Sequence, residues 1–167
     1  MNARSMRGVY VVEFAIIGLL LFILLFAILE FGRLYFTVNA LNETVRRGAR
    51  LAAVCDISDP VILRRAIYNA ATDAGASSLI GDLETADLTL TYLDESGATV
   101  ASPNNLVSTD GFIAIRYVQL RVENFSFNLM IPVLGGTITL PVFRSTLPRE
   151  SLGRHAEEDV LPEITPC

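Results

Sequence analysis

The chain has 167 residues, enough for about one compact domain and too few for two of ordinary size. Apolar residues make up 51% and charged residues 19%, which excludes disorder along the whole chain, and the apolar surplus collects near the N-terminus. With a net charge of -5, thirteen basic residues that are all Arg, and no basic block longer than the pairs Arg46-Arg47 and Arg64-Arg65, the composition argues against a nucleic-acid partner; two cysteines and one histidine exclude a zinc site built from Cys and His.

Phe14 to Leu29 reads FAIIGLLLFILLFAIL, sixteen residues without a polar side chain, between Glu13 and Glu30. At the helical rise this covers about 24 Å, short of the hydrocarbon thickness, whereas Val9 to Leu29 covers about 31 Å and spans it with Glu13 inside. A carboxylate at that depth costs on the order of 3 kcal/mol on insertion scales, and such residues usually have a partner and a role. A cleaved secretory signal fits poorly, because the nearest small-x-small site, Val38-Asn39-Ala40, lies beyond Glu30 and Arg33. A permanent anchor and the N-terminus of a pilin-like subunit remain. Arg counting does not orient the helix, since Arg4 and Arg7 are opposed by Arg33, Arg46, Arg47 and Arg50.

The order Arg7, Gly8, four apolar residues, Glu13-Phe14 separates these two readings, because a plain anchor needs no Gly five positions before a Glu. The bland account makes Glu13 a boundary marker and Gly8 a flexible residue. The pattern extends through Leu29-Glu30-Phe31-Gly32-Arg33-Leu34-Tyr35 and Arg46-Arg47-Gly48-Ala49-Arg50-Leu51-Ala52-Ala53, and over Arg7 to Val54 the chain resembles the TadE-like minor pseudopilins of the tight-adherence (Tad, or Flp) pilus. One departure is Gly18, where such proteins commonly carry Pro within the apolar run.

The resemblance implies a prepilin peptidase cut between Gly8 and Val9. It also implies a Glu13-Phe14 pair that sets subunit register by meeting the new amino terminus of a neighbour. Its expected partners are the inner membrane, the prepilin peptidase, other Tad pilins and minor pseudopilins, and the Tad assembly platform. The implied location is the bacterial inner membrane, single pass, with the C-terminal domain in the periplasm or carried into the extracellular pilus.

The helical period continues past the membrane through Leu34, Val38, Leu41, Val45, Ala49 and Ala52, so one helix is expected from Val9 to about Val54. Glu30 and Arg33, at i and i+3, suit the membrane interface, and Arg46, Arg47 and Arg50 fall on a solvated face. Asp56 to Pro60 breaks the helix, with Asp59 as cap and Pro60 as the first residue of a second helix running to about Asp73 and stopping at Gly75. Alternation of Leu88, Leu90 and Tyr92 with Thr89 and Thr91 predicts a half-buried strand, and Asp94 to Gly97 a turn. Phe112 to Val122 reads as a longer strand buried on both faces. Phe125 to Leu134 and Thr137 to Arg144 could pair as a hairpin about Gly135-Gly136.

The expected architecture is α+β: a long N-terminal transmembrane and stalk helix, a short second helix, and a four- to five-stranded antiparallel sheet with a pilin-like outline. Its expected parts are a leader (1–8), a transmembrane segment (9–35), a stalk (36–55), a head (56–147) and an irregular tail (148–167). In an oxidising compartment Cys55 and Cys167 can bond and tie the tail to the stalk; two free thiols or a bond to another subunit are the alternatives. His155, beside Glu157, Glu158 and Asp159, reads as a surface residue of a solvated acidic tail. Asn42-Glu43-Thr44 and Asn124-Phe125-Ser126 match the glycosylation pattern, which is discounted for a bacterial protein. No catalytic set, metal site or cofactor motif is expected, so the chain reads as a structural protein. The alternative is an uncleaved single-pass protein with a periplasmic ligand-binding or sensing domain.

Overall fold

The structure, a computed structural model, describes residues 3–57, 59–106, 108–130, 135–154, 164 and 167, with side chains described from Gly8 onward. The fold is α+β. Helix α1 (Ala3–Val54) is followed by α2 (Val61–Ala66), β1 (Leu88–Leu93), β2 (Tyr117–Val122), β3 (Ser126–Asn128), β4 (Thr137–Thr139) and β5 (Phe143–Pro148). Two compact units divide the chain: residues 1–36 with 127–138, and residues 37–126 with 139–167.

The second unit is the head. Antiparallel β1-β2-β5 places β2 in the centre, with Leu90 opposite Leu120 and Leu120 opposite Ser145. Its core forms because one stripe of α1 is apolar at helical spacing: Leu41, Val45, Ala49 and Ala52 are buried, as are Ile62 and Ala66 of α2 and Val118, Leu120 and Val122 of β2. Arg46, Arg47 and Arg50 are exposed, as the periodicity predicts. Gly48 sits where these layers meet; a Cβ there would collide with the Leu120 side chain and stand 2.8 Å from Ala66 Cβ.

Several elements differ from the sequence expectation. The second helix ends at Ala66 rather than near Asp73. Tyr68 takes a left-handed φ of 68°, Ser77 Oγ donates to Ile67 O at 2.6 Å, and Asn69 Nδ2 donates to Gly75 O at 2.9 Å. These bonds satisfy the buried backbone without further helical turns. The start is shifted by one residue: Pro60 is the N-cap and Val61 the first helical residue, while Asp59 Oδ1 still accepts from Val61 N at 2.8 Å.

Phe112–Ala114 is a 3-10 turn and the strand begins only at Tyr117, with a single buried face formed by Val118, Leu120 and Val122. The expected turn at Asp94 is present: Gly97 has φ 82°, and Asp94 Oδ1 accepts from Ser96 Oγ at 2.7 Å and Ala98 N at 2.9 Å. Those hydrogen bonds, the Ser96 hydroxyl foremost, hold the Asp94 carboxyl below its ordinary value.

The expected hairpin forms only in part, and residues 131–134 of it lie outside the described residues. β3 pairs with β4 in a two-stranded sheet, while Phe143 onward joins β2 in the other sheet. Pro141, which has no N–H to donate, stands between the two strands.

Candidate functional site

The residues that sequence reading singles out lie along α1 and at its C-terminal end. From Gly8 to Leu29 nearly every side chain is exposed, including Phe14 at 79%, and a stretch of this helix is long and apolar enough to cross a membrane. In water that surface would be prohibitive; lipid, or the apolar helices of other subunits, satisfies it.

Gly8 and Val9 lie on the exposed helix, and no atom comes within 4 Å of where a Gly8 Cβ would stand. Glu13 is exposed in the middle of this apolar surface and makes no hydrogen bond or ion pair among the described residues. The structure therefore leaves Glu13 and Phe14 facing outward and brings them to no other site residue. Gly18, Gly32 and Gly8 all have open space around them, unlike Gly48.

Glu30 and Arg33 are brought together. Arg33 Nη1 donates to Glu30 Oε1 at 2.7 Å, one helical turn away, and Glu30 is buried although its neighbours Leu29 and Phe31 are exposed. The cause is a contact that local sequence gives no hint of. The backbone N–H of Met130 donates to Glu30 Oε2 at 3.1 Å, and the Arg33 guanidinium stacks 5.1 Å from the centre of the Phe127 ring. Both carboxylate oxygens are thus occupied, and the β3–β4 hairpin is held against α1 at the first charged residue after the apolar run.

At the other end of α1, Cys55 is joined to Cys167 in a disulfide with 5.5 Å between the Cα atoms. Asp59 Oδ2 accepts from Cys167 N at 2.8 Å, so the carboxylate that starts α2 also holds the last residue. The orphan carbonyls of the helix end are met by the segment after β5. Leu152 N donates to Ala53 O at 3.1 Å and Gly153 N to Val54 O at 2.7 Å, while Arg154 Nη2 lies 3.5 Å from Asp56 Oδ1. Gly153 has φ 73°, and a Cβ there would stand 2.5 Å from Asp56 N, so this approach requires glycine. Nearby, burial, with the Asp56 charge as a lesser cause, pushes the Tyr92 phenol well above its ordinary value. His155, Glu157, Glu158 and Asp159 lie outside the described residues. No group of acidic, His or Cys side chains suited to a metal ion occurs among the described residues.

No curated protein and no solved structure matches the chain. A family model does: that of the TadE-like protein, over residues 8–50. The match starts at the glycine of the expected processing site, contains Glu13, Glu30 and Arg33, and ends in the Arg-Gly-Ala-Arg segment whose Gly48 admits α2 and β2. Over residues 8–50, the part of α1 that carries Gly8, Glu13, Glu30 and Arg33, the chain is similar to the TadE-like family.

Proposed function

We propose that the protein is a minor pseudopilin of the Tad pilus: a prepilin peptidase cuts the chain between Gly8 and Val9, α1 holds the mature protein in the inner membrane by a single pass, and the head lies in the periplasm. The observation that carries this reading is the TadE-like match from Gly8 onward, with an exposed carboxylate set five residues after that glycine in an otherwise bare apolar surface. Hydrolysis after Gly8 leaves a cationic amine on Val9. In a low-dielectric bundle of helices this amine and the Glu13 carboxylate of a neighbouring subunit offset part of each other's desolvation cost, and the pairing aligns the subunits. The chemistry of the protein is then assembly and not catalysis, with other Tad pilins, minor pseudopilins and the assembly platform as partners, and pilus-mediated adherence as the outcome.

Replacing the chromosomal copy with Glu13→Gln or Gly8→Ala tests this reading. Both variants are expected to stay in the membrane fraction and to abolish surface pili. Wild-type pilus numbers with both variants would instead favour an uncleaved membrane protein with a periplasmic binding domain.

A further inference from the structure

The β3–β4 hairpin is unusual in composition for a surface element. No charged residue occurs between Glu123 and Arg144, a stretch that contains the whole hairpin, although exposed surfaces normally mix charges throughout. Met130 is 69% exposed and Ile138 40% exposed. Residues 127–138 belong to the same compact unit as residues 1–36, the apolar part of α1, and not to the head. The hairpin's level along that helix is set by the bond from Met130 N to Glu30 Oε2 and by Arg33 over Phe127. Glu30 is where the apolar run ends, so a helix that crosses the bilayer puts Glu30 at the edge of the hydrocarbon and Met130 beside it.

We propose that the β3–β4 hairpin is a second membrane contact, with Met130 and Ile138 in the headgroup and acyl-chain boundary of the bilayer that α1 crosses. The inference rests on the reading of α1 as a membrane span and adds a lipid-facing element to it. Three features favour lipid as the occupant. The exposed residues are apolar, Leu25, Phe26 and Leu29 of α1 in the same compact unit are themselves exposed and apolar, and Arg33, 43% exposed, is the first cation after the apolar run. The strand pairing and the Glu30 carboxylate occupy backbone N–H groups of the hairpin that water would otherwise have to satisfy at that depth.

The chain contains no Trp, so an introduced Trp is its only one. Full-length Met130→Trp, Phe22→Trp and Tyr117→Trp, each reconstituted into phosphatidylcholine/phosphatidylglycerol vesicles with and without brominated acyl chains, read depth by quenching. Phe22→Trp is expected to be quenched strongly by lipid bromine. Met130→Trp should also be quenched, with bluer emission than Tyr117→Trp and a depth of about 5–10 Å below the headgroup surface. Tyr117→Trp should respond only to aqueous acrylamide. If Phe22→Trp is quenched while Met130→Trp behaves like Tyr117→Trp, the hairpin is in water and the proposal is overturned. Shielding of Met130→Trp from both quenchers means that protein covers this position, which also overturns it. Loss of quenching at Phe22→Trp as well would show that the membrane span itself is wrong.

Discussion

A Cβ on Gly48 would run into the Leu120 side chain and lie 2.8 Å from Ala66 Cβ, so α1, α2 and β2 meet at a position that carries only hydrogen. Gly32 has open space around it on the same helix. Glycine in a helix is ordinarily about 0.5–1 kcal/mol worse than alanine, so Gly32→Ala should leave the protein as stable or slightly more stable. Gly48→Ala should do the opposite and destabilise the head by about 1–3 kcal/mol, the usual cost of overpacking, as measured by urea unfolding in detergent. Tyr92 gives a second test at this scale. Its phenol is buried and its pKa raised above the ordinary 10.0, so the folded head retains a proton that the unfolded chain has begun to lose. The stability this contributes is complete below pH 10 and declines as the pH rises from there towards the folded value. Tyr92→Phe should show a shallower loss of stability above pH 10 than the wild type in denaturant titrations across that range.

At the scale of elements, α1 ends against the segment after β5, which supplies N–H groups to Ala53 and Val54, and the Cys55–Cys167 disulfide closes the chain over a separation of 112 residues. Replacing both cysteines by Ser should lower the head's unfolding free energy by about 2–4 kcal/mol, with a matching loss when the wild type is reduced. Equal stability of the reduced and oxidised wild type would contradict a structural role for the bond. The elements that sequence reading captures are those with a local cause. The apolar stripe through Leu41, Val45, Ala49 and Ala52 marks α1, the Leu-Thr alternation marks β1, and Asp94 and Gly97 mark their turn. The elements it misplaces depend on distant partners. The early end of α2 rests on Ser77 and Asn69 bonding across a loop, and β5 forms because Phe143 to Pro148 finds β2 instead of continuing the hairpin with β3. Glu30 and Met130 are a hundred residues apart, so no local spacing could join them.

For the whole molecule, the candidate site divides in the same way. Gly8, Glu13 and the apolar run are plain in the sequence because their spacing is the signal, and the TadE-like match over residues 8–50 covers them. The proposed partner of Glu13 belongs to another subunit, and the sequence of one chain does not contain it. The account joins two features, an exposed apolar helix that lipid or other helices must cover and a folded head anchored at the end of that helix. Its central claim is that the leader is removed at Gly8. The most direct measurement is the intact mass and N-terminal sequence of the protein from cells with and without the prepilin peptidase. The account predicts a mature chain beginning at Val9 only when the peptidase is present. A chain that keeps Met1 to Gly8 in both strains would contradict it.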